Sequence, residues 1–549
     1  MFIRIVPHKS EKKTYRHLQI VESYRAPDKG NSPRTRILYN LGALEDLGEE
    51  QVIRLAAGLM KAIGKELTLP ELKNAKDFGH VYAVQAVWDK LGLSKALERA
   101  DISGKANTDF CDMVRWMVFN RLCEPCSKLA LLDWTEGIFA PETTALSYHN
   151  LLRAMDRLIT VKEKAEPFIA QAVLDPKDPV DMVFYDITST YFEGDKSIQD
   201  DDPRRYGYSR DHREDRRQVV IGLVMTRRGM PLCHHVFPGN TVDKTTVAQV
   251  VSDLKKRFQL GRVIFVGDRG MLSDGNLEHL MEEGLDIIVA HPVRGNALAQ
   301  EVIQTLKKQV NPANTEEQFH EDVRTGVRFI MAYSPDIAEQ SKQSRRERLE
   351  KADAWINPVL KRLAKPESRG RKATPQGTYD RIRDYLRDHN LLRWYQMELA
   401  NETLSLKKDR KALNWEATVD GVLLLETSDM SIPAQEIVKH YKELAEVERG
   451  WRSLKSSLQL RPVYHWTERR IRAHIFICVI ALQLERWMRN KLQSISVPKA
   501  MQALRQIKVG ELCFGEKTVL IPTALTPEHK EILKKLGVAQ PTAAHLSAK

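Results

Sequence analysis

Residues Met182–Thr190, MVFYDITST, combine an apolar run with a carboxylate, Asp186. The apolar residues before Asp186 predict a short buried strand. The pattern returns in Val263–Val266, VIFV, which leads into Asp268 within VGDRG. A carboxylate just past a buried strand lies at the rim of a sheet, where the sites of open α/β sheets collect. Because neighbouring strands lie about 4.8 Å apart, the two aspartates are candidates for one site, although either alone is more typical of a capping residue.

The segments around these two strands predict a mixed sheet with helices packed on it. Their order is three strands, helix, strand, helix, strand, which is typical of an α/β fold. The first strand is followed by a hairpin around the turn RRG. The predicted elements are the hairpin strands Val219–Met225 and Pro231–Phe237, the helices Lys244–Phe258 and Asp274–Glu283, and the strand Asp286–Ala290.

The pattern changes several times along the chain and predicts five regions. Residues 1–80 alternate strand-like and turn-like stretches and form a β-rich unit. Residues 81–178 have a helical period, and these helices either bind DNA ends or simply pack together. Residues 179–292 and 431–492 form the α/β core around an insertion at 293–430. Residues 493–549 are predicted to be a loosely ordered tail.

A third carboxylate stands out in Tyr441–Leu458, YKELAEVERGWRSLKSSL. Tyr441, Glu448 and Lys455 are seven residues apart, close to two helical turns, so one continuous helix places all three on one face. Arg452 follows Glu448 by four residues and joins that face. This row is either an ordinary amphipathic surface helix or a metal-binding carboxylate flanked by phosphate contacts.

Charge and composition narrow the class of protein. The 549 residues carry a net charge of +12 and 42% hydrophobic residues, which favours a folded protein with a polyanionic partner. The first residues lack the apolar run of a signal peptide, and the longest apolar run, Ile475–Leu484, is half of a bilayer span. Six cysteines in a chain of this length do not indicate a disulfide framework. We interpret Cys123 and Cys126 as two small apolar residues on a helix. We expect a cytoplasmic, reduced protein.

Several segments resemble bacterial insertion-sequence transposases of the DDE class. They are VFYDITSTYFEG, FPGNTVDKTT, VIFVGDRGMLSDGNLEHL and the long segment that begins at Tyr441 and ends at Glu485. The resemblance is to the branch whose last motif is Tyr-x2-Arg-x3-Glu-x6-Lys, and it extends from about Tyr15 to about Met488. Tyr441, Glu448 and Lys455 match that motif.

This resemblance implies a ribonuclease H-like catalytic core with a large β-rich insertion before the third carboxylate. Asp186, Asp268 and Glu448 are then the catalytic residues and metal ligands, and Tyr441, Arg452 and Lys455 contact DNA. Carboxylates this close need a cation between them or a raised pKa, and Mg²⁺ suits oxygen ligands and phosphates. Two Mg²⁺ ions, for which Mn²⁺ can substitute, stabilise the attacking and the leaving oxygen of a phosphodiester.

The sequence departs from the family motif at Leu444, which stands where the motif has arginine. A leucine cannot bind phosphate, so Arg452 or Arg449 is a candidate for the missing contact. Two further features have open alternatives. Six arginines in Arg204–Arg217 form either a salt-bridged loop or a DNA contact, and Trp355, Trp394 and Trp415 either pack in a core or stack on a base.

The predicted function is a DNA transposase that cuts at the ends of its mobile element and joins the freed 3′-OH to target DNA. Its partners are the inverted-repeat ends and the target DNA, and holding two ends together requires an oligomer on DNA, in the bacterial nucleoid. A ribonuclease H-like nuclease that does not join strands would use the same triad. A DNA-binding derivative without catalysis would not need to keep Asp186, Asp268 and Glu448.

Overall fold

The structure is a computed structural model with side chains. It describes residues 2–10, 13–26, 32–43, 46, 48–64, 71–101, 108–140, 146–176, 180–193, 202–242, 245–258, 264–268, 274–324, 326–364, 373–514, 517–542 and 546. The chain divides into two compact units, one made of Met1–Lys76 with Val509–Thr523 and the other of Asp77–Lys508 with Ala524–Lys549.

Strands and helices both occur from the beginning of the chain to its end. The strands are β1 (Phe2–Ser10), β2 (Lys13–Ala26), β3 (Ser32–Ala43), β4 (Glu71–Asp77), β5 (Met182–Tyr191), β6 (Gln218–Thr226), β7 (Pro231–Pro238), β8 (Ile264–Asp268), β9 (Asp286–Ala290), β10 (Gln318–Arg324), β11 (Val327–Tyr333), β12 (Tyr395–Ala400), β13 (Thr403–Lys408), β14 (Val422–Thr427), β15 (Lys508–Phe514) and β16 (Lys517–Pro522). The helices are α1 (Glu49–Ala62), α2 (Gly79–Leu91), α3 (Leu93–Ala100), α4 (Thr108–Cys123), α5 (Ala130–Glu136), α6 (Tyr148–Val173), α7 (Val247–Phe258), α8 (Asp274–Glu282), α9 (Ala297–Lys307), α10 (Pro335–Leu363), α11 (Pro375–Asp388), α12 (Arg410–Val419), α13 (Ala434–Lys442), α14 (Ala445–Lys455), α15 (Glu468–Leu492), α16 (Val497–Arg505) and α17 (Pro527–Leu536).

The first unit is built on two small sheets. β1, β2 and β3 form an antiparallel sheet, in agreement with the β-rich start predicted from the sequence. A second sheet has the order β16-β15-β4 and takes two of its strands from the end of the chain. The prediction of a loosely ordered tail at 493–549 was therefore wrong, because β-branched residues such as Val509, Val519 and Ile521 favour the strands β15 and β16, of which β15 pairs with β4.

The helical region of the second unit agrees with its predicted apolar stripes. Val81, Val84 and Val87 are buried on α2, and α4 buries Met113 and Met117. Helix α15 packs against α4 and α6, and its middle is buried on all sides, as its continuous apolar run predicted. The tail contributes here too. Helix α17 packs against α15 and α16, because its apolar residues face one side and are buried.

Within the described residues, eight strands form the central sheet in the order β10-β11-β14-β9-β8-β5-β6-β7. β5 pairs antiparallel with β6 and parallel with β8, and β8 pairs parallel with β9. The predicted hairpin is present as β6 and β7, and its turn includes Gly229 at a φ of 72°, a left-handed conformation that glycine adopts easily. Helices α7 and α8 bury apolar side chains against this part of the sheet. The predicted residues Lys244 and Val263 lie outside the described residues.

The insertion at 293–430 differs from the β-rich domain that was predicted. Three of its strands, β14, β11 and β10, extend the central sheet beyond β9, with Leu425 opposite Ala290. Its longest elements are helices, and α10 and α11 form a separate cluster with the β12–β13 hairpin. Apolar residues on both faces of β11 and β14 explain the extension, because such strands are buried on both sides. The limits at 293 and 430 stay predictions.

Among the helices in the described ranges, none combines the length and the apolar character that crossing a membrane requires.

Candidate active site

Asp186 lies in the middle of β5, where that strand still pairs with β6 but no longer with β8. The sequence predicted that the strand ends before Asp186, but β-branched Ile187 and Thr188 continue it to Tyr191. One carboxylate oxygen of Asp186, Oδ1, accepts a hydrogen bond from the backbone N–H of Ile187 at 2.8 Å. The other, Oδ2, accepts one from the indole Nε1–H of Trp451 at 3.1 Å.

Asp268 is the last residue of the neighbouring strand β8, as predicted. The parallel pairing of β5 and β8 ends with Phe184 opposite Val266. Asp186 and Asp268 each follow these partners by two residues, so they occupy equivalent positions where the two strands part. Adjacent strands lie about 4.8 Å apart. The side chain of Asp268 lies outside the described residues.

Glu448 lies on α14, a helix held against the sheet by two neighbours of the glutamate. Gly450 permits close approach, because a Cβ at that position would come within 2.7 Å of Met225 Cε on β6. Arg486 on α15, which is buried, donates to the backbone carbonyl of Glu446 at 3.0 Å and lies 3.2 Å from its carboxylate. Glu446 thus anchors α14, whereas the Glu448 side chain is exposed.

Three residues beyond Glu448, Trp451 turns its indole into the sheet and is 6% exposed. Its hydrogen bond to Asp186 links α14, the helix that carries Glu448, to the first predicted catalytic residue. The sequence interpretation did not single out Trp451. The signal was its position, since residues three apart on a helix are neighbours, and its indole N–H needs an acceptor when it is buried.

The electrostatics of Asp186 reflect this convergence. Burial raises the pKa of Asp186 to about 6, against the lowering effects of the Ile187 N–H, Arg210 and Trp451. The carboxylate of Glu448 adds to the increase in this pKa. Helix α14, which carries Glu448, packs on β5 and bonds Asp186 through Trp451, so the structure brings that helix to Asp186. Among the described side chains there is no cluster of three potential metal ligands, and Asp268 is not among those side chains.

Tyr441 does not share an uninterrupted helix with Glu448. Tyr441 lies on α13, which ends at Lys442, and α14 begins at Ala445. Between them, the N–H of Leu444 bonds to the carbonyl of Tyr441 three residues back, so the turn is tighter than an α-helix. The prediction of one continuous helix from Tyr441 to Lys455 was wrong, because tighter turns change the angle at which successive side chains leave the axis.

The basic residues beyond Glu448 differ in their partners. Lys455 donates to Asp211 Oδ1 at 2.9 Å, and Arg461 forms a second ion pair with the same carboxylate. Burial alone would raise the pKa of Asp211, but these two cations hold it below its usual range. Arg452 is exposed on α14 and forms no ion pair with any described residue. Asp211 was not predicted, although it lies among the arginines of Arg204–Arg217.

The remaining basic and aromatic candidates have mostly structural contacts. In the arginine loop, Arg204 pairs with Asp202 and lies over the ring of Trp466, and Arg213 pairs with Asp215 at 2.8 Å. The salt-bridged interpretation thus describes these two arginines. In the insertion, Trp355 stacks on Tyr385, Trp394 is buried, and Trp415 donates to the Val293 carbonyl at 3.0 Å.

Two protein-family descriptions match parts of this chain. The family description "Transposase DDE domain" matches residues 182–484, more than half of the 549 residues, and the IS1634 family transposase N-terminal domain matches residues 3–70. No curated protein matches the chain. A solved piggyBac transposase synaptic complex with hairpin DNA is similar at a TM-score of 0.37 and 10% identity, over 80% of this chain and 82% of that one. By the match of its longest segment, this chain belongs to the insertion-sequence transposases that carry a DDE domain.

Proposed function

We propose that this transposase cuts DNA at the ends of its own mobile element and joins the freed 3′-OH to target DNA. The observation that carries the proposal is the hydrogen bond to Asp186 from Trp451, on the helix that carries Glu448, inside the matched DDE domain. Asp268, in the equivalent register on the next strand, is the third member of the proposed triad. These are the residues that we expect to carry the chemistry.

We propose further that the core is ribonuclease H-like. The support is the strand order β7-β6-β5-β8-β9, with the first three strands antiparallel and β8 and β9 parallel to β5. This arrangement puts Asp186 at the centre of the sheet and Asp268 beside it. Helix α14, which arrives from a distant part of the sequence, then supplies Glu448 from one face.

The donor chemistry of the site fits the divalent metal ions that DDE transposase domains generally use. Asp186 and Glu448 are carboxylates, and the two bonds that Asp186 accepts come from neutral N–H groups, which leave its negative charge for a cation. We propose that Asp186, Asp268 and Glu448 would hold two Mg²⁺ ions, with Mn²⁺ as a substitute. Bound there, the ions would stabilise negative charge on the attacking and leaving oxygens of the phosphodiester.

The protein itself positions the carboxylates. The Ile187 N–H and the Trp451 indole fix the plane of the Asp186 carboxylate, because both of its oxygens are bonded. Arg486 and Gly450 hold α14 against its neighbours, and we propose that this position lets Glu448 reach the same site. Such preorganisation lowers the reorganisation needed when the DNA strand enters. Arg452, exposed on the same helix, is available to a phosphate of that strand.

The direct test uses the DNA on either side of the reading frame. The purified chain is incubated with a duplex that carries the flanking inverted repeat, with Mg²⁺ or with EDTA. We expect Mg²⁺-dependent cleavage at the end of the repeat, followed by joining of the 3′ end to a second DNA. Cleavage without joining would identify a nuclease, and DNA binding without cleavage would identify a non-catalytic derivative. Two ends must be held together, so the active species is expected to be an oligomer on DNA.

A further inference from the structure

A second polar cleft lies outside the proposed triad. It has a volume of about 640 Å³ and is lined by side chains from α4, the loop after α4, the start of α6 and the segment around Arg461 to His474. The lining includes Arg121, Lys128, Tyr148, Tyr464, His465 and His474. We call it the Lys128 cleft.

Lys128 is an unusual residue for this position. It is only 4% exposed, yet its ammonium group forms neither an ion pair nor a hydrogen bond with any of the residues that the structure describes. Arg121, which is 3% exposed, likewise forms no ion pair with a described carboxylate. Two cations are thus buried in one cleft without a compensating negative charge, which is costly unless a ligand supplies that charge.

The hydrogen bonds of Arg121 hold the wall of the cleft in place. Its guanidinium donates to the backbone carbonyl of Gln459 at 3.1 Å and to the side-chain oxygen of Asn120 at 2.9 Å, and it also bonds the carbonyl of Cys126. These acceptors are neutral. Arg121 therefore fixes the loop that presents Lys128 while its own positive charge stays uncompensated.

The cleft contains two histidines, and neither supplies a negative charge to balance Lys128 and Arg121. The imidazole Nε2 of His474 lies 3.0 Å from the Leu460 carbonyl, a bond in which the ring nitrogen donates. Burial, with help from the nearby Lys128, lowers the pKa of His465 to about 3. Burial likewise lowers the pKa of Lys128 to about 7, and the positive charge of Arg121 adds to that effect. An anion bound beside Lys128 would reverse this electrostatic strain.

The shape of the cleft selects among anions. Its volume is much larger than a single phosphate group requires. Tyr464 and Tyr148, which are 62% and 41% exposed, offer aromatic faces at its rim. Aromatic faces above a cationic floor suit a nucleotide in a strand, whose sugar or base packs on the ring while its phosphate meets the cation.

The cleft is also connected to the helix that carries Glu448. Gln459 and Arg461, which line the cleft, follow α14 within a few residues. Arg461 and Lys455 bind the same carboxylate, Asp211, so the segment leaving α14 is tied to the wall of the cleft. A DNA strand at the proposed triad therefore has a basic site close to it in the same unit.

We propose that the Lys128 cleft binds a phosphodiester group of a DNA strand, with Lys128 as the direct contact, Arg121 as the residue that positions it and Tyr464 against the adjoining nucleotide. This inference rests on the proposed function, because it assigns a further contact to the DNA that the transposase holds. It concerns binding, and it does not add a residue to the catalytic triad.

The test compares Lys128→Met with the full-length wild-type chain, using a fluorescein-labelled oligothymidylate as the probe. We expect affinity to fall about tenfold and the slope of log K against log[salt] to decrease by about 0.7, the contribution of one phosphate on a single strand. Without DNA, we expect the melting temperature of Lys128→Met to rise, because an uncompensated buried charge has been removed. Unchanged affinity and slope would overturn the proposal, as would a lower melting temperature with an unchanged slope.

Lys162→Met is the matched control, because Lys162 is a partly buried lysine that has a counter-ion, Glu166, at 2.9 Å. We expect it to lower the melting temperature and leave the salt slope unchanged. If Lys128→Met does not fold, Tyr464→Ala, at an exposed position, still tests the site and should weaken binding several-fold without changing the slope. Wild-type affinity in Tyr464→Ala would then overturn the proposal.

Inorganic phosphate distinguishes a strand from a free anion. If phosphate alone raises the melting temperature of the wild type as much as oligothymidylate at the same phosphate concentration, the cleft is a free-anion site and the proposal fails. Failure of this inference is separable from failure of the proposed function. A wild type that cleaves the element end while Lys128→Met binds DNA normally refutes only the cleft.

Discussion

Glu166 and Asp186 are both carboxylates enclosed by the second unit, but their surroundings are opposite. Glu166 on α6 is 2% exposed and contacts Lys162, His234 and Arg257. Burial would raise its pKa, but Lys162 and its other partners hold the pKa well below the usual range. Asp186 accepts hydrogen bonds from neutral N–H donors, and burial raises its pKa to about 6 although these donors and Arg210 oppose the increase.

The surroundings of Glu166 and Asp186 distinguish a charge that stabilises the fold from a charge that is available to a ligand. A carboxylate whose charge is neutralised by its neighbours contributes to the fold, and removing it leaves those neighbours uncompensated. A carboxylate whose pKa is raised by burial, in spite of its neighbours, is a candidate ligand for a cation. The same contrast holds between Lys162, paired with Glu166, and Lys128, which has no ion pair among the residues described. Substitutions on both sides of this contrast test the distinction.

The largest effect is expected at the proposed triad. Asp186→Asn, Asp268→Asn and Glu448→Gln should each abolish cleavage, because each removes a charged metal ligand, while DNA binding persists. For Asp186→Asn we also expect a smaller loss of stability than for Glu166→Gln, because its main effect on the fold is that one of two N–H donors loses its acceptor. The measurements are Mg²⁺-dependent nicking of an end duplex and the melting temperature of the free protein.

Asp322→Asn is the control for these variants, because Asp322 pairs with Arg324 on β10, a strand at the edge of the sheet. It should nick the duplex at a nearly normal rate. Near-normal nicking by one of the three triad variants would remove that residue from the triad. A large loss of stability in Asp186→Asn would show that Asp186 resembles Glu166.

The sequence predicted the centre of the fold better than its additions. The strands before Asp186 and Asp268 were evident because continuous apolar runs can only be buried strands or helices, and these runs were short. Pairing partners far apart in sequence were not evident. The apolar residues of β11 and β14 indicate buried strands, but nothing local shows that these strands and β10 extend the central sheet, or that β15 pairs with β4.

The site was predicted in part for the same reason. The four-residue spacing of Glu448 and Arg452 identified them as neighbours on one helix face, because this spacing is a local feature of the sequence. It failed for Tyr441, where a tighter turn interrupts the helix. The partners Trp451 to Asp186 and Lys455 to Asp211 join segments more than two hundred residues apart, so only the folded chain reveals them.

The next largest effect is expected at Glu166. Glu166→Gln should lower the free energy of unfolding by about 3 kcal/mol, because it leaves Lys162 without its ion pair and Arg257 with Asp253 alone. Urea denaturation of the variant and the wild type measures this change. Equal stability would mean that the cluster around Glu166 does not depend on its charge, and the contrast with Asp186 would fail.

A smaller effect concerns the acid side of stability. Burial, followed by Lys162, lowers the pKa of His234 to about 4 against an ordinary 6.5, although Glu166 opposes the shift. Between pH 6.5 and 4 the unfolded chain therefore binds a proton that the folded chain does not. Stability should fall as the pH falls through this window, by up to about 1.4 kcal/mol per pH unit for this residue.

The groups that face His234 are Lys162 and Glu166 on α6, His235 on β7 and Arg257 on α7. Urea denaturation at several pH values should show a shallower acid slope in His234→Gln than in the wild type. Other buried histidines, such as His80 with a pKa lowered by burial to about 4, keep part of the slope in both proteins. Identical slopes would exclude His234 as a source of acid sensitivity.

The smallest effect is expected on α14, where Arg452 and Lys455 were predicted to act alike and the structure separates them. Lys455 already pairs with Asp211, so its charge is largely used within the protein, whereas Arg452 is exposed and unpaired among the described residues. If Arg452 replaces the phosphate contact missing at Leu444, Arg452→Ala should weaken binding to an end duplex by about 1 kcal/mol, the scale of one exposed charged bond.

Arg449→Ala, which removes a partner of Glu446, is the matched control on the same helix and should bind normally. A fluorescence titration of the three proteins decides between them. Wild-type affinity in Arg452→Ala would leave Leu444 uncompensated, and equal losses in both variants would mean that the helix contributes general positive charge rather than one phosphate contact.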